Sequence, residues 1–411
     1  MVAQWEFSDI WTLGEPFWLP KGVTWELVLR GEDGIKPLPQ HYLVVISLAL
    51  ILLVVRHLFS KFITRPIGRY FEINERVVPK PVANELGERL FKECRGNPKD
   101  AEISALIKAT GWTERKVQRW FRQRGLSALP NKMVKFLDSS WRACGYFSLL
   151  FIGWYTVPRK SYFYDVEDCW RQYPHRYVDL DEFCYYMGEM SFYLSLTISH
   201  CFEQRKKDFW EMLIHHIATL GLISLSFSVN YVPIGALIML CHDIADPWLE
   251  LAKITGYTRH KRELGSHWLK DKLTELFFIL FAVLFYITRL YVFPAYLLHS
   301  VWYHCPKQYG PWPLHKVFFG LLSLLFVLHV FWSYLIWKVI SNSVLSGHVK
   351  GDSRSDDEMT TDDDTTLSPP TSPLPERLGN PPAEENGRAR HRQNGHSSSS
   401  SSSATAGTNA Q

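Results

Sequence analysis

Two apolar stretches of this chain carry side chains that can move protons. The first opens Trp210-Glu211-Met212-Leu213-Ile214-His215-His216, and the second contains His242-Asp243-Ile244-Ala245-Asp246 followed by Glu250. An ionisable group inside a membrane-spanning segment is costly and is a functional candidate by default. On a continuous helix His242, Asp246 and Glu250 recur at i, i+4 and i+8, with Asp243 one turn from Asp246, so one face is lined with imidazole and carboxylate. His215 and His216 differ by about 100° on a helix, so only one of them points straight at that face. Imidazole beside a carboxylate can accept a proton or an acyl group near neutral pH, and acid-base or nucleophilic catalysis in a dry cavity is the leading reading. The competing readings are pairwise satisfaction between helices without chemistry, and a metal centre. Imidazole and carboxylate suit zinc or iron. Membrane di-iron sites, however, need several H-x-x-x-H or H-x-x-H-H boxes, and here there is a single adjacent pair, so no metal is expected.

The elements that must position these groups are membrane helices. The chain has 411 residues, 46% of them hydrophobic and 15% aromatic, and its apolar residues are bunched into runs of the length a hydrocarbon core demands. A mean hydropathy of -0.10 hides this, because a charged stretch near residues 61 to 138 and a polar tail after Gly351 dilute the runs. Spans are expected at 42–59, 139–157, 183–200, 213–232, 234–251, 273–298 and 317–340. The expected fold class is all-α, a polytopic membrane bundle of about seven transmembrane helices, or six if the polar stretch 234–251 forms a re-entrant hairpin with the span before it. The first run lacks the basic start and cleavage site of a signal peptide and should remain as an anchor. Acidic residues dominate before it and Lys and Arg after it, which places the N-terminus in the lumen and the C-terminus in the cytosol. The seven cysteines form no C-x-x-C pair, so neither a disulfide scaffold nor a thiolate zinc site is indicated, although Cys169 and Cys305 would pair if both are lumenal.

Five regions follow: a lumenal N-terminus at 1–41, an anchor at 42–60, a soluble helical block at 66–130, a catalytic membrane domain at 131–340 and a disordered cytosolic tail at 341–411. In the block, Val82 to Glu93, Asp100 to Thr110 and Thr113 to Arg124 are expected helices. The string Val117 to Arg124 resembles a homeodomain recognition helix. Gln123 stands where an adenine-reading Asn belongs, and no arm for the minor groove precedes the block, so DNA binding is not expected. Trp120 and Phe121 are expected in a core, with Arg115, Lys116, Arg119, Arg122 and Arg124 as a solvated basic face near anionic lipid headgroups. In the tail, Ser355 and Thr361 precede acidic runs and are candidate phosphorylation sites, while Ser368 and Ser372 precede Pro.

The string K-K-D-F-W-E-M-L-I-H-H-I-A-T-L from Lys206 to Leu220 resembles the signature of the ceramide synthases, the longevity-assurance branch of the TLC-domain proteins. The likeness runs on through Asn230, Gly235, Leu237, H-D-I-A-D and L-E-L-A-K to Tyr257, and takes in the homeodomain-like block and the acidic stretch at 354–358. The resemblance implies a multi-pass enzyme of the endoplasmic reticulum, with fatty acyl-CoA as donor, sphinganine or sphingosine as acceptor, and an amide and free CoA as products. Acyl-CoA is then a co-substrate, and no cofactor is expected. The implied site is His215, His216, His242, Asp243 and Asp246. One of the adjacent histidines deprotonates the amine or itself takes the acyl chain, and the two aspartates orient the imidazoles. By charge alone, Arg205, Lys206, Lys207 and Lys253 are candidates for the CoA phosphates. The resemblance further implies dimers with itself or a relative, and an influence of the loop at about 299–316 on acyl length. The chain departs from the usual family pattern at Pro233 and from Val157 to Asp165. Two other functions compete: a TLC-domain lipid sensor or carrier without turnover, and a membrane-tethered transcription factor.

Overall fold

The computed structural model describes residues 14–29, 35, 37–73, 81–94, 98–128, 131–174, 176–202, 208–258 and 267–346. Every extended element among them is helical, and their only β contact is an isolated bridge between Ile35 and Val178. The chain is an all-α, multi-pass membrane protein.

Helix α1 (His41–Phe59) continues through a π turn at Ser60–Thr64 and on to Tyr70, so it outruns the anchor expected to end at residue 60. Leu43, Leu50, Ile51, Val54 and Leu58 stand exposed along it, as an apolar helix facing lipid requires. Next come α2 (Glu85–Glu93), α3 (Asp100–Thr110) and α4 (Glu114–Ala128). Asn84 caps α2 by accepting the Gly87 N–H at 2.7 Å. Gly111, at φ 66°, ends α3 in the left-handed conformation that glycine adopts freely. Leu106, Val117, Trp120 and Phe121 make a small core between these helices, and the Trp120 indole donates to the Val82 carbonyl at 2.7 Å. Arg124 departs in part from the expected basic face: it turns back to Glu88 at 2.6 Å and lies over the Phe91 ring, leaving its side chain 27% exposed.

The remaining long helices are α5 (Lys132–Thr156), α6 (Leu180–Phe202), α7 (Phe209–Ser228), α8 (Val232–Asp243), α9 (Asp246–Tyr257), α10 (His267–Phe285) and α11 (Pro313–Ser346). Among the described residues, five helical segments are long and apolar enough to cross a membrane: His41–Tyr70, Phe209–Ser228, Val232–Tyr257, Leu269–Tyr309 and Pro313–Asn342. The other two expected spans lie within α5 and α6, whose 25 and 23 residues are long enough but less apolar. Two boundaries differ from expectation. After α10 the helix runs on through a π-helical stretch, Tyr286–Leu298, as far as Tyr309, so most of the expected loop at 299–316 is helix and the connection is only Gly310 to Trp312. The π stretch contains Pro294, which has no N–H to give to a regular α ladder. The expected span 234–251 is also two helices rather than one, because the chain turns at Ile244 and Ala245 and Pro247 then opens α9.

All twelve residues of α8 are buried, which explains why its sequence is apolar on every side until His242 and Asp243. Asn230, at φ 62°, reverses the chain between α7 and α8, and its amide donates to the Arg176 carbonyl at 2.8 Å. At that end of the bundle an aromatic cap forms. Tyr231 meets Trp170, Tyr173, Trp312 and Phe318 edge to face, and the Trp312 indole donates to the Trp18 carbonyl at 3.2 Å.

Candidate active site

The two adjacent histidines lie in the second turn of α7. Their separation around the helix sends them to different neighbours. His216 is buried, with its ring 5.7 Å from that of His200 and 6.1 Å from Tyr193, both on α6. His215 faces α11, where its ring meets Trp332 edge to face at 5.1 Å. One turn earlier on α11, His329 is fully buried, and its Nε2 stands 3.1 Å from Nε2 of His242 at the end of α8. Imidazoles from α6, α7, α8 and α11 therefore run through the bundle as a row: His200, His216, His215, then across Trp332 to His329 and His242.

The break after α8 sets the second half of the site. Pro247 cannot donate to the Asp243 carbonyl, so the helix does not continue smoothly. The His242 carbonyl, which an unbroken helix would pair with the N–H of residue 246, instead accepts from Arg289 Nη2 at 2.8 Å. The same nitrogen reaches Asp246 Oδ1 at 2.6 Å. One buried guanidinium thus holds the His242 carbonyl at the end of α8 and the first carboxylate of α9 together, each charge at the helix end its dipole favours. Asp243 points elsewhere: Tyr185 on α6 donates to its Oδ2 at 2.6 Å, and Glu189, one turn along α6, is buried beside it.

A TLC-domain family model matches residues 135–338, the region that contains all of these groups. Curated relatives extend the match. Ceramide synthase 5 of Mus musculus is 34% identical over 349 residues, covering 85% of this chain and 82% of the relative. Ceramide synthase 3 of Homo sapiens is 36% identical over 360 residues, covering 86% and 89%. The chain belongs to the ceramide synthase family. It is therefore a membrane acyltransferase, and the groups described above lie within its TLC-domain region.

For a ceramide synthase family chain, the sequence-derived candidates sort as follows. His215, His242, Asp243 and Asp246 come together with His216 behind them, but not on one helix face. The break turns His242 toward His329, Asp243 toward Tyr185, and Asp246 toward Arg289. Glu250 leaves the cluster for Arg142 and Lys253, each at 3.1 Å. Lys253 is thus tied to a carboxylate on its own helix. Arg205, Lys206, Lys207, Ser355 and Thr361 lie outside the described residues. Among the described residues, no three His, Cys, Asp or Glu side chains are placed to hold a metal ion. Sequence reasoning missed Tyr185, Glu189, Arg289, His329 and Trp332. Arg289, His329 and Glu189 carried a usable signal, an ionisable residue within an expected span; Tyr185 and Trp332 carried none.

Proposed function

We propose that the chain joins a fatty acyl group from acyl-CoA to the amine of sphinganine or sphingosine, giving (dihydro)ceramide and CoA. The observation that carries this reading is the meeting of His215, His329 and His242 from three separate membrane helices around Trp332. A thioester needs little activation, whereas an ammonium must lose a proton before its nitrogen can attack, and buried imidazoles suit that task. His215 or His216 deprotonates the amine or takes the acyl chain. Asp243 and Asp246 act on the imidazoles at one remove, through Tyr185 and Arg289, by fixing the helix break that presents His242. The reaction draws on no cofactor, since acyl-CoA arrives already activated. Arg205, Lys206 and Lys207, with Lys253, attract the CoA phosphates from the cytosolic side of the endoplasmic reticulum membrane, and the N-terminus lies in the lumen. Pairing with a second copy or a relative rests on the resemblance alone.

The test is amide formation by purified protein in detergent, from sphinganine and acyl-CoAs of graded chain length. Wild type should turn over, and His215→Ala, His216→Ala and Asp243→Ala should each lose about a hundredfold or more while staying folded. Lipid binding without turnover for any donor would instead identify a carrier.

A further inference from the structure

Buried polar atoms in folded proteins are nearly always hydrogen-bonded, and an exception calls for an explanation, a catalytic role among them. Around Trp332 such exceptions gather. His215 Nδ1, Thr219 Oγ1 one turn further along α7, Arg289 Nε, His329 Nδ1 and Trp332 Nε1 are all buried without a hydrogen-bond partner among the described residues. Of these, His329 is the most enclosed, and its protonation pattern follows from its neighbours.

His242 Nδ1 lies 2.6 Å from the Ile238 carbonyl oxygen, which can only accept, so His242 carries its proton on Nδ1. In a neutral ring Nε2 is then a bare lone pair. His329 Nε2 approaches that lone pair at 3.1 Å and must be the donor. A neutral His329 therefore holds its hydrogen on Nε2 and has a free lone pair on Nδ1, the atom left without a partner. The Ile238 carbonyl fixes one ring, that ring fixes the next, and the outcome is a base with a single receiving atom. Its surroundings on every side are known: His242 from α8, Arg289 from the π-helical stretch with its charge paired to Asp246, His215 from α7, and the rings of Phe285, Phe293 and Trp332.

We propose that His329 is a catalytic base of the N-acylation, taking the proton of the sphingoid ammonium on its Nδ1 while His242 holds its ring in place. This rests on the function proposed above. The ammonium N–H bond breaks, its electron pair stays on nitrogen, and the proton forms an N–H bond at His329 Nδ1. The freed amine then forms the C–N bond as the thioester C–S bond breaks, and the second amine proton passes by way of His215 or His216 to the departing thiolate. The proton on His329 returns to solvent, which accounts for the one net proton released.

His329→Gln separates this role from packing, because its amide N–H can replace Nε2–H toward His242 while nothing basic stands at Nδ1. Amide formation at neutral pH should fall about a hundredfold or more, with KM for acyl-CoA unchanged. The deficit should shrink as pH rises and more acceptor arrives as free amine. It should shrink likewise with a long-chain alkoxyamine acceptor, whose nitrogen is already neutral. His329→Asn, which fills the other half of the ring outline, should repeat the pattern if the first variant fails to accumulate. A wild-type rate, or a loss equal at every pH and with both acceptors, would overturn the proposal. Absence of turnover by the wild type itself would reject the N-acylation reading and this inference with it.

Discussion

Asp243 illustrates how one carboxylate is aimed. It sits 1% exposed between Tyr185, which donates to Oδ2 at 2.6 Å, and Glu189, so its orientation depends on α6 and not on its own helix. The Tyr185 hydroxyl is the neutral donor that fixes Oδ2. Tyr185 is itself confined, since a Cβ at Gly153 on α5 would meet its hydroxyl at 2.7 Å. Tyr185→Phe keeps the ring and deletes the donor. Losing a hydrogen bond to a buried carboxyl costs about 1–3 kcal/mol. If part of that appears in the barrier, amide formation falls roughly tenfold. An unchanged rate would mean that the hydroxyl serves packing alone. Nothing in the run Tyr185-Tyr186-Met187-Gly188-Glu189 distinguishes its first tyrosine from its second, although Tyr186 turns to the Val232 carbonyl and Tyr185 to the site. Which one faces Asp243 is a matter of how α6 is rotated.

At the level of elements, the break between α8 and α9 is the decisive feature. Discontinuous helices in membranes are tolerated where their freed backbone groups find partners, and here Arg289 is that partner. The guanidinium comes from a π-helical stretch, whose wider turn advances side chains differently from an α ladder. Arg289→Ala would strand the half-buried Asp246 carboxylate and the buried His242 carbonyl together. Breaking a fully buried pair in this way costs about 3–5 kcal/mol; with Asp246 18% exposed part of that cost is relieved by solvation, and the thermal unfolding midpoint in detergent should still drop below that of wild type. A midpoint within error of wild type would show that the break holds without its clasp. The i, i+4, i+8 spacing of His242, Asp246 and Glu250 had pointed to a single polar face. Pro247 was the residue that warned against it, since proline removes a ladder hydrogen bond wherever it falls inside a helix.

Across the described residues, the aromatic cap joins the N-terminal segment to the connection before α11 and to its start. Trp18, Trp25 and Val28 share one core with Tyr173, Tyr231 and Trp312, and the cap also encloses Cys169 and Cys305. Both thiols are free, so the disulfide considered from the sequence does not form. Burial pushes the Cys169 thiol well above its ordinary pKa, which disfavours the thiolate that oxidation requires. Each of the two cysteines should therefore take up a maleimide after denaturation without any reductant and resist it in the folded protein. A pair that reacts only after reduction would contradict this arrangement. The sequence alone determined the helical class, the existence of membrane spans, the family and the motif residues, because apolar runs and rare intramembrane charges are local properties of the chain. Only the tertiary structure decided that His242 turns to His329, that Arg289 clasps the broken helix and that Glu250 stands outside the site. Those outcomes depend on helix rotation, on the position of a break and on contacts between residues far apart in the chain, and none of these leaves a periodic trace in a single sequence.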